Sequence, residues 1–203
     1  MTEDDDDGFV SRGAERRGRI AAAAQTVLAA AGIGGLTMQA VADAAGLKKS
    51  VVLYHVGDRP GLIRLLTARV VAQRAALDAP LTRVAGDPRQ LLTEWLAGQF
   101  AALTLDESPV RLAWLLRLDT AVAVADPAQS LAGAPTLDRL GQLLSRGHAE
   151  AYWHAPDAQG TAWRVKALVD GFLLQALEAN DEEAAVRRLR GTCRSAVLDA
   201  LVR

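Results

Sequence analysis

Cysteine, aromatic residues and long apolar runs are all scarce in this sequence, and each scarcity removes a class of protein. The single cysteine, Cys193, has no internal partner, so a secreted scaffold held by disulfides is excluded. Aromatics make up only 4% of the chain and no alternating apolar pattern is found, which argues against a β fold. No stretch reaches roughly 18 uninterrupted apolar residues, so no membrane helix is expected. The chain opens on MTEDDDDGFV rather than on a basic and apolar leader. Residues 1–10 read as a disordered acidic tail, and the protein as cytoplasmic. Catalytic signatures are missing too: there is no Ser/His/Asp set, no nucleotide-binding glycine loop and no metal-ligand spacing. Asp119, Asp170 and Glu178 could gather as a buried acid group, but acids near helix ends are ordinary. His148, Glu150 and His154 are neighbours in sequence, yet about 100° per residue carries His154 far round a helix from His148. No metal and no cofactor is expected.

The formal charge of −1 hides an uneven distribution. Residues 10–75 carry ten Lys/Arg against three Asp/Glu, whereas residues 76–203 carry thirteen against sixteen. A basic front joined to a mildly acidic body suggests a polyanion-binding end, although chance clustering on a solvated face gives the same numbers.

What is abundant is alanine and leucine, both strong helix formers. Ile20, Ala24, Val27, Leu28 and Ala31 recur at helical spacing in a first helix from Ser11 to Ala31, with Ser11 as its cap and GIGG at 32–35 as its end. Arg12, Arg16, Arg17 and Arg19 crowd its first half, where cations oppose the helix dipole. Phosphate contacts would explain them. Thr37 caps a short helix to Ala44; a third spans Leu47 to His55; Pro60 suits the first turn of a fourth, to about Leu77. Five amphipathic helices follow, over 88–103, 110–125, 135–153, 161–179 and from NDEE to Leu201. The fold class is all-α with about nine helices.

The second and third helices are joined by a three-residue turn containing Gly46, which defines a helix-turn-helix. Ala42 is small where the helices cross, Gly46 tolerates a left-handed backbone, and Val41, Leu47 and Val52 pin one helix to the other. A recognition helix enters the major groove by its first turn. Lys48, Lys49 and Ser50 occupy that turn and can donate to guanine or phosphate, and Val51 can touch a thymine methyl. Tyr54, His55 and Arg59 can reach flanking phosphates. A solvated basic turn with a packed His55 is the alternative.

Residues 16–66 resemble the N-terminal domain of the TetR/AcrR family of transcriptional regulators. The matching segments are RIAAAAQTVLAAAG and LTMQAVADAAGLKKSVVLYHVGDRPGLIRLL. After the turn the family usually reads V-S-K-G-T-L-Y-x-H-F; here Leu53 replaces the tyrosine, Val56 the phenylalanine and Lys48 the serine. The resemblance implies a helix-turn-helix domain over 11–59 and a helical regulatory and dimerisation domain over 60–203. It also implies DNA contacts from Thr37 and Gln39 at the groove edge and from Lys49, Ser50, Val51, Tyr54 and His55 on the recognition helix; Arg17, Lys48 and Arg59 join them from the charge pattern alone. Its expected partners are a palindromic duplex operator, a second copy of the chain and a small-molecule effector.

For the dimer, Leu168, Gly171 and Phe172 on one helix and Val186, Leu189, Cys193 and Val197 on the last are the candidates. For an effector pocket they are Trp95, Phe100, Trp114, Trp153, Trp163 and Phe172, with an apolar or aromatic ligand expected to move the fourth helix. Aromatics at helical spacing are also ordinary core residues. Three readings follow: an effector-released repressor, a DNA binder or activator without an effector, and a helical-bundle enzyme.

Overall fold

The computed structural model describes residues 4–104, 107–117, 134–178 and 183–202. Among these are nine α-helices, two short 3-10 helices and no strand. The helices are α1 (Asp4–Gly35), α2 (Met38–Ala45), α3 (Lys49–Val56), α4 (Arg59–Leu77), α5 (Pro88–Ala101), α6 (Pro109–Arg117), α7 (Ala134–Ala149), α8 (Ala158–Glu178) and α9 (Glu183–Val202). The expected end of α6 near Ala125 and most of the NDEE start of α9 lie outside the described residues.

Two differences from expectation are instructive. Helix α1 begins at Asp4 rather than at Ser11, so the acidic stretch is helical from Asp4 onward. A run of carboxylates in a first helical turn is stabilised by the dipole there, typically by 0.3–1 kcal/mol per charge. Arg16, Arg17 and Arg19 are therefore more than three turns from the helix start, where the dipole no longer acts on them. The regular helix is broken at Gly32 (φ 64°, ψ −172°), where the GIGG segment begins. The second difference is that α7 stops at Ala149 instead of continuing to Trp153. The chain turns there with Ala151 at φ 61°.

The chain forms two compact units, one of Met1–Val71 with Leu112–Leu131, the other of Ala72–Arg111 with Ala132–Arg203. The boundary at Val71 falls inside α4. In the first unit the core is built from Ile20, Ala24 and Leu28 of α1, Val41 and Ala42 of α2, Val52 of α3, and Leu62, Ile63, Leu66 and Val70 of α4, closed by Leu112, Ala113 and Leu116 of α6. A partly buried polar tie reinforces it: Arg69 Nε donates to Gln25 Oε1 at 2.7 Å.

In the second unit, Leu92, Trp95 and Phe100 of α5, Leu140 and Leu144 of α7, and Val165, Val169 and Leu173 of α8 are buried, with Val186, Cys193, Val197 and Leu201 of α9. Asp78 is its polar hub. Its buried carboxylate accepts from Trp95 Nε1 at 3.0 Å, Thr136 Oγ1 at 2.6 Å and Arg139 Nη1 at 3.3 Å. One acid thus ties the middle of α5 and the start of α7 to the end of α4. Asp78→Ala leaves the Trp95 N–H buried without an acceptor, while Arg139, about one-third exposed, turns to water. The expected loss is about 1–3 kcal/mol, read as a lower urea midpoint with helix content unchanged.

Candidate nucleic-acid interface

The helix-turn-helix is assembled by local rules that the sequence states openly. Thr37 is the N-cap of α2, its hydroxyl oxygen accepting from Ala40 N at 3.1 Å. Gly46 ends α2 in the left-handed region, at φ 62° and ψ 39°. Its N–H donates to Asp43 O and that of Leu47 to Ala42 O, which closes the helix end. Helix α3 then starts at Lys49 and is anchored by Val52, which is fully buried.

Two arginines hold this arrangement from outside it. Arg19 Nη2 donates to Ala45 O at 2.9 Å, supplying a cation and a donor at the C-terminus of α2. Arg59 Nη2 donates to Ile33 O at 3.1 Å, fastening the start of α4 to the end of α1. Gly61 matters as well. A Cβ there would lie 1.8 Å from the Val56 carbonyl oxygen, so only glycine lets α4 begin so close to the end of α3. The Gly61 N–H is capped by Asp58 Oδ1 at 2.8 Å. The basic character of Arg19 and Arg59 thus serves this unit's own backbone, whereas their sequence pattern read as phosphate contacts. The packing role of Gly61 was missed, because nothing local distinguishes it from a surface glycine.

What remains facing outward is a continuous polar and apolar face. Val52 points to the core, so residues two positions either side of it, Ser50 and Tyr54, point away. Lys48, Lys49, Ser50, Leu53 and Tyr54 are exposed, Tyr54 to 78%. Val51 and His55 are half-buried flanks, with the His55 ring edge-on to Tyr54 at 5.2 Å. Thr37, Gln39, Arg16 and Arg17 are exposed too, and Gln39 Nε2 is held by Asp43 Oδ1 at 2.8 Å. Lys48 is the N-cap of α3 but gives it no side-chain cap. Two cations at an uncapped helix start, beside the dipole's positive end, are poorly placed for helix stability.

No family model and no curated protein matches this sequence. Solved structures do match. A TetR-family member from Streptomyces coelicolor A3 shares 25% identity at a TM-score of 0.69, covering 93% of this chain and 99% of its own. A candidate TetR-family transcriptional regulator from Rhodococcus sp. shares 25% at 0.66, covering 92% and 96%. The chain has the fold of TetR-family transcriptional regulators. A candidate transcriptional regulator from Saccharomonospora viridis, solved in complex with choline, has the same fold at a TM-score of 0.74 and 20% identity, covering 94% and 99%.

The TetR-like body places the remaining candidate residues as follows. Trp95 and Phe100 are almost fully buried, and Trp153 is buried with its Nε1 donating to Leu144 O at 2.8 Å. Trp163 is 60% exposed, while Trp114 and Phe172 are half-buried. Trp114 belongs to the first unit and the other five to the second. Among the described residues of the second unit, one surface groove lies beside Arg83, Arg139 and Arg146 and another beside His154, Asp157 and Arg164; none of the six aromatics lines these two.

Of the residues considered for a dimer, Val186, Cys193 and Val197 are buried within a single copy. Leu168, Phe172 and Leu189 are half-buried and Gly171 is exposed. The imidazoles of His148 and His154 do come together, 5.5 Å between centroids, because the helix ends before His154 and the chain folds back. Among the described residues no three His, Cys, Asp or Glu side chains gather as a metal site. No described helix is long and apolar enough to cross a membrane.

Two outcomes are expected. Gly46→Ala forces a Cβ into the left-handed region and costs about 1–2 kcal/mol, measured as a lower unfolding midpoint. Burial raises the Cys193 thiol pKa to about 11, so thiolate is scarce at neutral pH. The folded protein should react with a thiol reagent only in step with unfolding, and rapid labelling under native conditions would contradict that burial.

Proposed function

We propose that this chain is a sequence-specific DNA-binding transcriptional regulator. It acts as a homodimeric repressor, released from a palindromic operator by a small-molecule effector. The observation that carries the reading is the outward face of α3: Lys48, Lys49, Ser50 and Tyr54 are exposed and the core of their unit is complete without them. Side chains outside the core, cationic at the helix start and aromatic one turn on, suit the phosphates and base edges of a major groove. Arg16 and Arg17 on α1 extend the cationic surface. Thr37 and Gln39 lie at the groove edge. Arg59, at the start of α4, adds its positive charge to the same surface. We assign the chain no catalytic role.

A dimer is supported by the outer face of α8, where Trp163, Ala167, Gly171 and Leu174 recur at helical spacing and all are exposed. Leu168 and Phe172 flank this stripe. An effector is supported by the choline held by the Saccharomonospora viridis regulator of the same fold. The effector class proposed here is a small organic molecule, and α4, which has residues in both units, is the element through which its binding would reach the DNA-reading unit. A ligand favouring the DNA-incompetent state by ~3 kcal/mol weakens operator affinity about 150-fold.

Selection from a random duplex pool should return a palindromic site. Binding to it should fall steeply with salt, and Arg17→Ala or Lys49→Ala should each reduce the log–log salt slope by roughly 0.9. Slopes unchanged in both variants would refute the assigned surface. A Cβ at Gly171 meets nothing within 4 Å in a single copy. Gly171→Leu should therefore leave folding intact yet weaken self-association by about 1–3 kcal/mol through overpacking, seen as monomer by light scattering. A wild-type chain that is monomeric at micromolar concentration would end the dimer proposal.

A further inference from the structure

Leu53 is a large aliphatic side chain, 38% exposed, on the outward face of α3. It sits one turn beyond Lys49 and next to Tyr54, and the core beneath is already filled by Val52. A leucine exposed by chance needs no explanation. This one lies on a flank of the face that the proposed function turns to DNA, beside Lys49, Ser50 and Tyr54.

We infer that Leu53 reads a thymine 5-methyl group, making it a specificity-determining residue of the proposed DNA contact. The chemistry of the groove restricts the choice. Phosphates, sugars and most base-edge atoms are polar, and the only apolar group on a base edge in the major groove is that methyl. An aliphatic side chain pressed against any other edge would strip water from a donor or acceptor and leave it unpaired. Leu53 therefore favours a T·A pair at its position and discriminates against the alternatives, while Lys49 and Ser50 on the same side of the helix supply the polar contacts. Leu53 and Val51 lie on opposite flanks of the Ser50–Tyr54 line, so their apolar contacts fall on different base pairs.

The inference rests on the DNA-binding reading, and the experiment separates the two. A binding site is first obtained by selection from a random duplex pool with the full-length chain. Each thymine of the half-site is then replaced, one at a time and in both half-sites, by deoxyuridine, which removes only the methyl. One thymine should show an affinity loss of about fourfold per methyl, the equivalent of about 0.8 kcal/mol for one buried carbon. Leu53→Ala should bind the thymine site more weakly and should bind the thymine and deoxyuridine sites equally. Leu53→Met should retain the difference. Val51→Ala serves as the control and should leave the difference at that position intact. Failure to select any duplex would refute DNA binding itself, and the inference with it. A selected site with no deoxyuridine effect, or an effect that survives in Leu53→Ala, would refute the role of Leu53 alone. Because the side chain is partly exposed and outside the core, equal thermal midpoints for wild type and Leu53→Ala establish that folding is not the cause.

Discussion

An eight-residue helix with one fully buried side chain cannot hold itself in place. Isolated helices shorter than about 12–15 residues are marginal in water, so α3 exists because its surroundings fix it. Val52 anchors its inner face, the left-handed turn at Gly46 sets its entry, and the close approach at Gly61 sets its exit. Arg19 and Arg59 each reach 26 residues along the chain to a backbone carbonyl, one at the end of α2 and one at the end of α1. The consequence is that nearly every outward position of α3 is free of folding duties. Its residues can be chosen for what they touch rather than for what they support.

The body carries the complementary pattern. Asp78 binds three partners and is buried, which fixes the middle of α5 against the start of α7. The stripe of α9 is spent on its own core, whereas α8 keeps an exposed row through Trp163, Gly171 and Leu174. In the proposed dimer, that exposed row of α8 is the surface that meets the second copy. The proposed regulator thus separates three tasks: DNA reading on α3, self-association on α8 and connection between the units along α4.

Much of this was legible in the sequence, and the boundary is physical. The helix-turn-helix could be read because its determinants, Thr37, Ala42, Gly46 and Val52, act over a few residues. The helix count followed from apolar periodicity. The start of α1 was not legible, because an acidic run looks disordered by composition yet suits a helix N-terminus. Arg19 and Arg59 resembled phosphate ligands because charge is visible in a sequence and a carbonyl partner 26 residues away is not. For Val186, Cys193 and Val197 the spacing marked an apolar face but could not say whether it turned inward or toward a second copy. His148 and His154 were separated by a helical-wheel argument that failed once the helix ended at Ala149.

The central claim is that the outward face of α3 lies against duplex DNA. Amide hydrogen exchange of the full chain, with and without a selected duplex at saturating concentration, tests this without any substitution. The account predicts new protection concentrated in residues 47–56, with lesser protection around Arg16, Arg17 and Thr37. Protection that spares 47–56 and appears instead on another surface would contradict it.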